Sequence, residues 1–317
     1  MFPRRLLLPF GCALLLAHCV QVEHLPSEQV LRNAVLAGQN LQSASFDVEI
    51  GWATGTKQEG ARVMAHLNGR MQDGGTQVTF EAEVSGKIEH ENGPEQSFDL
   101  TGDVMTAGEE GRFLHLRSLQ THPPIPGLEG PAIEALQNRW WKLPQNDAAT
   151  PLSARGDPYL LSLQTQAITV LKDLGIARMR GNNAYHYEVT LDSEKLDILF
   201  QELKRRDADS VAAQQDALAK LDWKGQVWID ASSFHVLRLE WDATSKDASQ
   251  PLQARVEMNV TDHNEAEPIT PPTNTADLPS SAEDLLPLLS GEAVQQPASS
   301  TLTPEQQSDI INSLLNE

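Results

Sequence analysis

At 317 residues and 40% hydrophobic content, the chain has room for one large domain with extensions, or for two domains. A formal net charge of -20 argues against nucleic acid as a partner and against electrostatic docking on anionic lipid. Cys12 and Cys19 are the only two cysteines, so a chain processed at Cys19 has no internal disulfide and must be stabilised by packing.

Arg4 and Arg5 precede an apolar run from Leu6 to Ala17, the layout of a secretory leader and too short to span a bilayer comfortably. The next four residues, Leu16-Ala17-His18-Cys19, resemble the bacterial lipobox, whose cysteine becomes the acylated first residue of the mature protein. His18 stands where that pattern has a small residue. Acylation at Cys19 is the expectation, with simple cleavage or a retained anchor as alternatives. Residues 1–19 are then leader and lipobox, and 20–26 a tether. An acyl anchor contributes roughly 0.8 kcal/mol per buried CH₂, so a multiply acylated cysteine holds a protein on a membrane.

Ser27 reads as an N-cap, and Val30, Leu31, Ala34, Val35 and Leu41 recur at helical spacing. Period-two segments follow. Phe46, Val48, Ile50 and Trp52 alternate with polar or small residues, as do Val63 to Leu67, Val78 to Val84, Phe98 to Val104, and Leu114 with Leu116. Thr54-Gly55-Thr56 and Asp73-Gly74-Gly75 supply turn chemistry between them. Five such segments predict an antiparallel meander with one apolar and one solvated face. From His122 to Asn146, prolines bracket a short helix around Ala132 to Leu136. The pair Trp140-Trp141 then reads either as core or as part of a binding rim.

Leu160, Leu161, Leu163, Ala167, Ile168, Val170 and Leu171 predict a helix from Asp157 to Leu174, closed by Gly175 as its C-cap. Ala177 to Leu191 returns to strand, broken by a turn near Gly181-Asn182-Asn183. Asp192 to Leu221 is a long helical pattern, which the charged stretch Lys204-Arg205-Arg206-Asp207 divides. The segment from Lys224 to Asp242 predicts a hairpin, with Ala231-Ser232-Ser233 as connector. Leu252, Ala254, Val256, Met258 and Val260 mark a last strand. Beyond Asp262 there are nine acids, no Lys or Arg, and many prolines, which predicts a largely disordered tail over 263–317. Two amphipathic patches interrupt it, near Asp284 to Leu289 and Pro304 to Leu315. The latter reads as a frayed helix or as a short partner-docking helix.

The motifs of metalloproteases, nucleophile elbows and phosphate-binding loops are absent from the sequence. The nine histidines are scattered without ligand spacing, and no cofactor or metal is expected. Glu240 and Asp242 share a strand face at roughly 7 Å, a separation that suits a sheet surface as well as a carboxylate pair. No catalytic residue is assigned, and the reading is not an enzyme. A one-sided sheet of this extent needs helices over its apolar face, and a loose fit would leave an apolar cavity there.

The leader with Cys19, the N-terminal helix, the Ser43-Ala44-Ser45-Phe46 entry to the first strand, the meander, and Gly225-Gln226-Val227-Trp228-Ile229-Asp230 with Arg238-Leu239 downstream together resemble the LolA-like superfamily of bacterial envelope lipoproteins, of the LppX and LprG type. The resemblance covers roughly Ser27 to Asp262. It implies an α+β fold: an unclosed antiparallel half-barrel, with helices plugging its mouth, over 27–262. It also implies binding of lipid or lipoprotein acyl chains in the cell envelope. Phe46, Val48, Ile50, Trp52, Val78, Phe80, Val84, Val227, Ile229, Leu237 and Leu239 are the candidates for the concave lining. The alternative is a protein-binding sensor or assembly module, with the same fold, no lipid and the tail as a partner tether.

Overall fold

The computed structural model describes residues 24–55, 59–89, 94–124, 131–137, 139–143, 166–204, 215, 220–247, 249 and 251–278. The leader, Cys19, the segment 144–165, most of the second half of the expected long helix, and the tail from 279 onward lie outside them. Helix α1 (Ser27–Gln39) opens the described chain and is followed by β1 (Ser43–Gly55), β2 (Gly60–Gln72), β3 (Gln77–Glu89), β4 (Gln96–Ala107) and β5 (Arg112–His122). Then come α2 (Pro131–Gln137), β6 (Trp140–Leu143), β7 (Ile168–Met179), β8 (Asn182–Leu191) and α3 (Ser193–Lys204). The hairpin β9 (Leu221–Asp230) and β10 (Val236–Ser245), then β11 (Leu252–Thr261) and β12 (Thr275–Asp277), complete it.

All twelve strands lie in one sheet, ordered β12-β6-β5-β4-β3-β2-β1-β11-β10-β9-β8-β7, so its two margins are β12 and β7 and it does not close on itself. Every pairing is antiparallel except β12 with β6. The five-strand meander expected from the alternation is present, and the last strand, β11, pairs back onto β1. This is an unclosed, mainly antiparallel sheet with a helix against one face. Because side chains alternate along a strand, the register assigns each residue to a face. Val48, for example, faces Leu67 on β2 and Met258 on β11, and Met258 faces Leu239 on β10. The continuous apolar face is built this way from β2 across to β9.

Three corrections emerge. Helix α1 begins after Pro26, and Ser27 is its first residue rather than its cap, with no side-chain capping bond. The expected helix through Leu174 is, from Ile168 onward, strand β7. Its pairing with β8 slips at Leu171 and again at Leu174, each an extra residue in a β-bulge. Two bulges stretch the apolar spacing from two to three residues, which imitates a helix. Gly175 has φ 86° because it sits at the second bulge, not because it ends a helix. Third, residues 263–278 are part of the folded sheet. They cross the end of the sheet from β11 over β1 to β5 and finish as β12 against β6, with Thr275 opposite Trp140 and Asp277 opposite Lys142.

This strap is held largely by side chains. Asn264 donates its backbone N–H to the Ser43 carbonyl at 2.7 Å, and its Oδ1 accepts from the Gln42 N–H at 2.7 Å. Gln72 donates to the carbonyl of Glu267 at 2.9 Å and accepts from the N–H of Ile269 at 3.0 Å. Ile269 is buried with Met105, Ala107 and Phe113, beside Trp140. Trp141 is also buried, so of the two readings of the indole pair, core holds for Trp141, while Trp140 borders the strap. Pro268, Pro271 and Pro272 do not argue against order here: an extended segment bonded by side chains needs no regular ladder.

Candidate functional site

Helix α1 lies on the apolar face. Val30 and Ala34 are buried against Tyr185, Tyr187, Val189, Val227 and Ile229, with Leu239, Val236 and Trp241 packed around them. Here the helix and sheet fit closely. Past Ala34 they separate, because the helix continues with Gly38, and nothing stands within 4 Å of where a Cβ on that glycine would lie. A cavity of about 370 Å³ occupies the gap. Its walls are Ala34, Gly38 and Leu41 above, and Ala44, Phe46, Met71, Val78, Met258 and Val260 below. Val236, His235 and His263 form one side.

The two histidines are the only ionisable side chains in this lining. Their rings stack with centroids 4.6 Å apart and planes 3° from parallel, and the His263 Nε2 lies 3.1 Å from the Val236 carbonyl oxygen. Burial holds the His235 pKa below its usual value; His263 opposes its charge further, and Asp230 acts weakly the other way.

The loop that presents His235 is fixed by one carboxylate. Asp230 is 5% exposed, and its Oδ1 accepts from the Ser232 N–H (2.9 Å) and Oγ–H (2.6 Å) and from the Ser233 N–H (2.8 Å) and Oγ–H (3.1 Å). Burial pushes the Asp230 pKa up, but the donors from Ser232 and Ser233 together outweigh it and hold the carboxyl below its usual range. The turn Ala231-Ser232-Ser233 read from the sequence thus takes the shape its Ser hydroxyls and preceding Asp dictate. Phe234, at φ 61°, swings back to stack near Tyr185.

Of the eleven candidate lining residues, Phe46 and Val78 border the cavity. Val227, Ile229 and Leu239 belong to the tight core under α1. By register, Val48, Ile50, Trp52, Phe80 and Val84 share the same apolar face farther along the sheet. Leu237 does not. It is the extra residue of a bulge between Val236 and Arg238, which turns it to the opposite face, against Ala184 and Trp228. His235 and His263 escaped the sequence reading because they come from two loops brought together only by the β10–β11 pairing. The alternation of Met258 and Val260 marks them in the sequence only as strand residues.

The opposite face is charged. Arg117 pairs with Asp103 and Glu81; His66 pairs with Asp47 at 2.8 Å; and Arg238 reaches Glu257 at 2.7 Å while lying over Trp228. Glu240 is bound to Arg238, and Asp242 lies beyond it on the same strand, so the two carboxylates form no isolated pair. An open cleft on this face, about 590 Å³, is lined mainly by polar and charged side chains, among them the paired Asp103, Glu81 and Arg117. Among the described residues, no three His, Cys, Asp or Glu side chains converge to hold a metal, and no helix is long and apolar enough to cross a membrane.

No protein-family model matches the chain, and no curated protein matches it. Among solved structures it is similar to the lipoprotein LppX of Mycobacterium tuberculosis, at 13% identity and a TM-score of 0.36, over 77% of this chain and 100% of that one. It is also similar to LprF of Mycobacterium bovis, at 15% identity and a TM-score of 0.33, over 78% and 95%. A third is a DUF1329 family protein of Desulfovibrio piger, at 9% identity and a TM-score of 0.21, over 74% and 91%. The architecture itself rests on the sheet order and register above.

Proposed function

We propose that this protein is an exported, envelope-anchored lipoprotein that binds the acyl part of a lipid or other amphiphile in the cavity beneath α1, and that it is a carrier rather than an enzyme. The observation that carries this reading is the cavity itself: apolar side chains surround it, and two histidines supply its ionisable groups. A volume of about 370 Å³ is at the small end of the usual range for ligand sites, enough for one chain segment but not a bundle of them. The imidazoles mark the end at which a polar headgroup or carboxyl would lie. Acylation of Cys19 would hold the protein at the membrane from which such a ligand is drawn, and the acidic segment after residue 278 would meet a protein partner.

The test is native and lipid mass spectrometry of residues 20–278, purified from a bacterial host without detergent. A stoichiometric amphiphile is expected. Gly38→Leu places its Cβ in open space on the helix side of the cavity, from which the side chain can occupy the ligand's volume, and it also improves helix propensity by roughly 1 kcal/mol. The variant should therefore lose the ligand while keeping or raising its Tm. A clean apo mass that stays clean after incubation with fatty acids and phospholipids would overturn the carrier reading and leave the protein-binding module in its place.

A further inference from the structure

We infer that the β7 margin of the sheet rests on the lipid surface, through Leu171, Leu174 and Ile176. This interaction surface rests on the reading of Cys19 as an acyl anchor. The three side chains are 52%, 37% and 39% exposed within six residues of one strand. Among the described residues β7 pairs only with β8, so these apolar groups stand on an open margin.

The tether places this margin at the bilayer. The described chain begins at His24, whose Nε2 lies 3.0 Å from Oδ2 of Asp173, between Leu171 and Leu174 on β7. Cys19 is five residues earlier (24 - 19). Even fully extended, five residues reach only about 18 Å. An acylated Cys19 therefore holds His24 within that distance of the headgroups and Asp173 only one side-chain contact farther, while other parts of the sheet are free to stand farther away.

The local backbone favours lipid over a protein strand as the occupant. Strand addition needs a regular row of free donors and acceptors. On β7 two bulges break that row, and the N–H of Gly175 already donates to Asp173 Oδ1 at 2.8 Å. A bilayer asks only for exposed apolar area. With a net charge of -20, the attraction must be apolar rather than electrostatic.

Full-length protein carrying Leu174→Cys, Leu171→Cys or, as a control, Met64→Cys tests this. Met64 is 56% exposed on β2, six strands from β7. Acylation occupies Cys19 and processing removes Cys12, so the introduced thiol is the sole site for a nitroxide label. In phosphatidylcholine vesicles, labels at 171 and 174 should be relaxed more by oxygen than by a water-soluble nickel chelate, unchanged in 1 M KCl. The label at 64 should show the reverse preference. Aqueous behaviour at 171 and 174 in protein whose intact mass includes the acyl group would overturn the docking and leave the anchor standing. An intact mass without an acyl group would overturn both.

Discussion

Asp230 shows how a single side chain determines a functional loop. It is buried, and four donors from two serines converge on one of its oxygens. Replacing it with Ala leaves the N–H groups of Ser232 and Ser233 without their charged acceptor. We expect Asp230→Ala to lower stability by about 2–3 kcal/mol, read from urea unfolding, and to weaken ligand uptake because His235 loses its position. His235 itself makes stability depend on pH. Its folded pKa lies below the usual 6.5, so its contribution is complete above that value and is lost as pH falls through the folded pKa. His66 runs the opposite way: its hydrogen bond to Asp47 raises its pKa, and the benefit is present below 6.5 and lost as pH rises through the folded value. A Tm profile from pH 8 to 5 should thus fall less steeply in His235→Asn, and more steeply in His66→Asn, than in the parent. Identical slopes in all three would contradict the assignment.

The elements differ in how far they can be read from the chain. β1 to β4 were legible because each keeps its alternation for twelve or thirteen residues, β5 only through Leu114 and Leu116 because a bulge at Arg117 interrupts it, and the hairpin of β9 and β10 because a Ser-rich turn divides it. β7 was not legible, since its two bulges alter the period on which the reading depends. Leu237 was misplaced for the same reason: one unpaired residue reverses the faces that follow. The cavity was legible only as a possibility of loose helix packing, and of its walls only Phe46 and Val78 could be named, since the histidines meet through long-range pairing. A further feature of the strands emerges only from register. Gly86 lies opposite Phe98, and Gly225 opposite Trp241, so an aromatic ring covers each glycine on the apolar face. A Cβ at either position would run into the ring. We expect Gly86→Ala to cost about 2–3 kcal/mol by overpacking, although the same change favours most strands. Pairing it with Phe98→Leu should recover part of that loss.

At the scale of the molecule, the strap from His263 to Leu278 extends the folded sheet beyond residue 262. Composition alone put the boundary at 262, because acids and prolines dominate beyond it. The structure carries the folded part at least as far as Leu278, since Ile269 is buried, Gln72 and Ser43 meet the strap backbone, and β12 covers the outer edge of β6. A chain ending at residue 262 should therefore expose Met105 and Phe113, unfold at a Tm several degrees lower than one ending at 278, and aggregate through the bared β6 edge. Equal melting and solubility of the two would show that the strap contributes nothing.

The strap also separates the two ends of the described chain. His24 is tied to β7 at one margin, and Leu278 leaves beside β6 at the other, with eleven strand spacings between the margins, or about 50 Å measured along the sheet. Under the proposed function, anything the residues after 278 engage would start at the margin remote from the anchored N-terminus. The sheet would then be a spacer as well as a container: a partner held by the residues after 278 and a bilayer held by the N-terminus would meet opposite edges of one sheet, with the cavity between them.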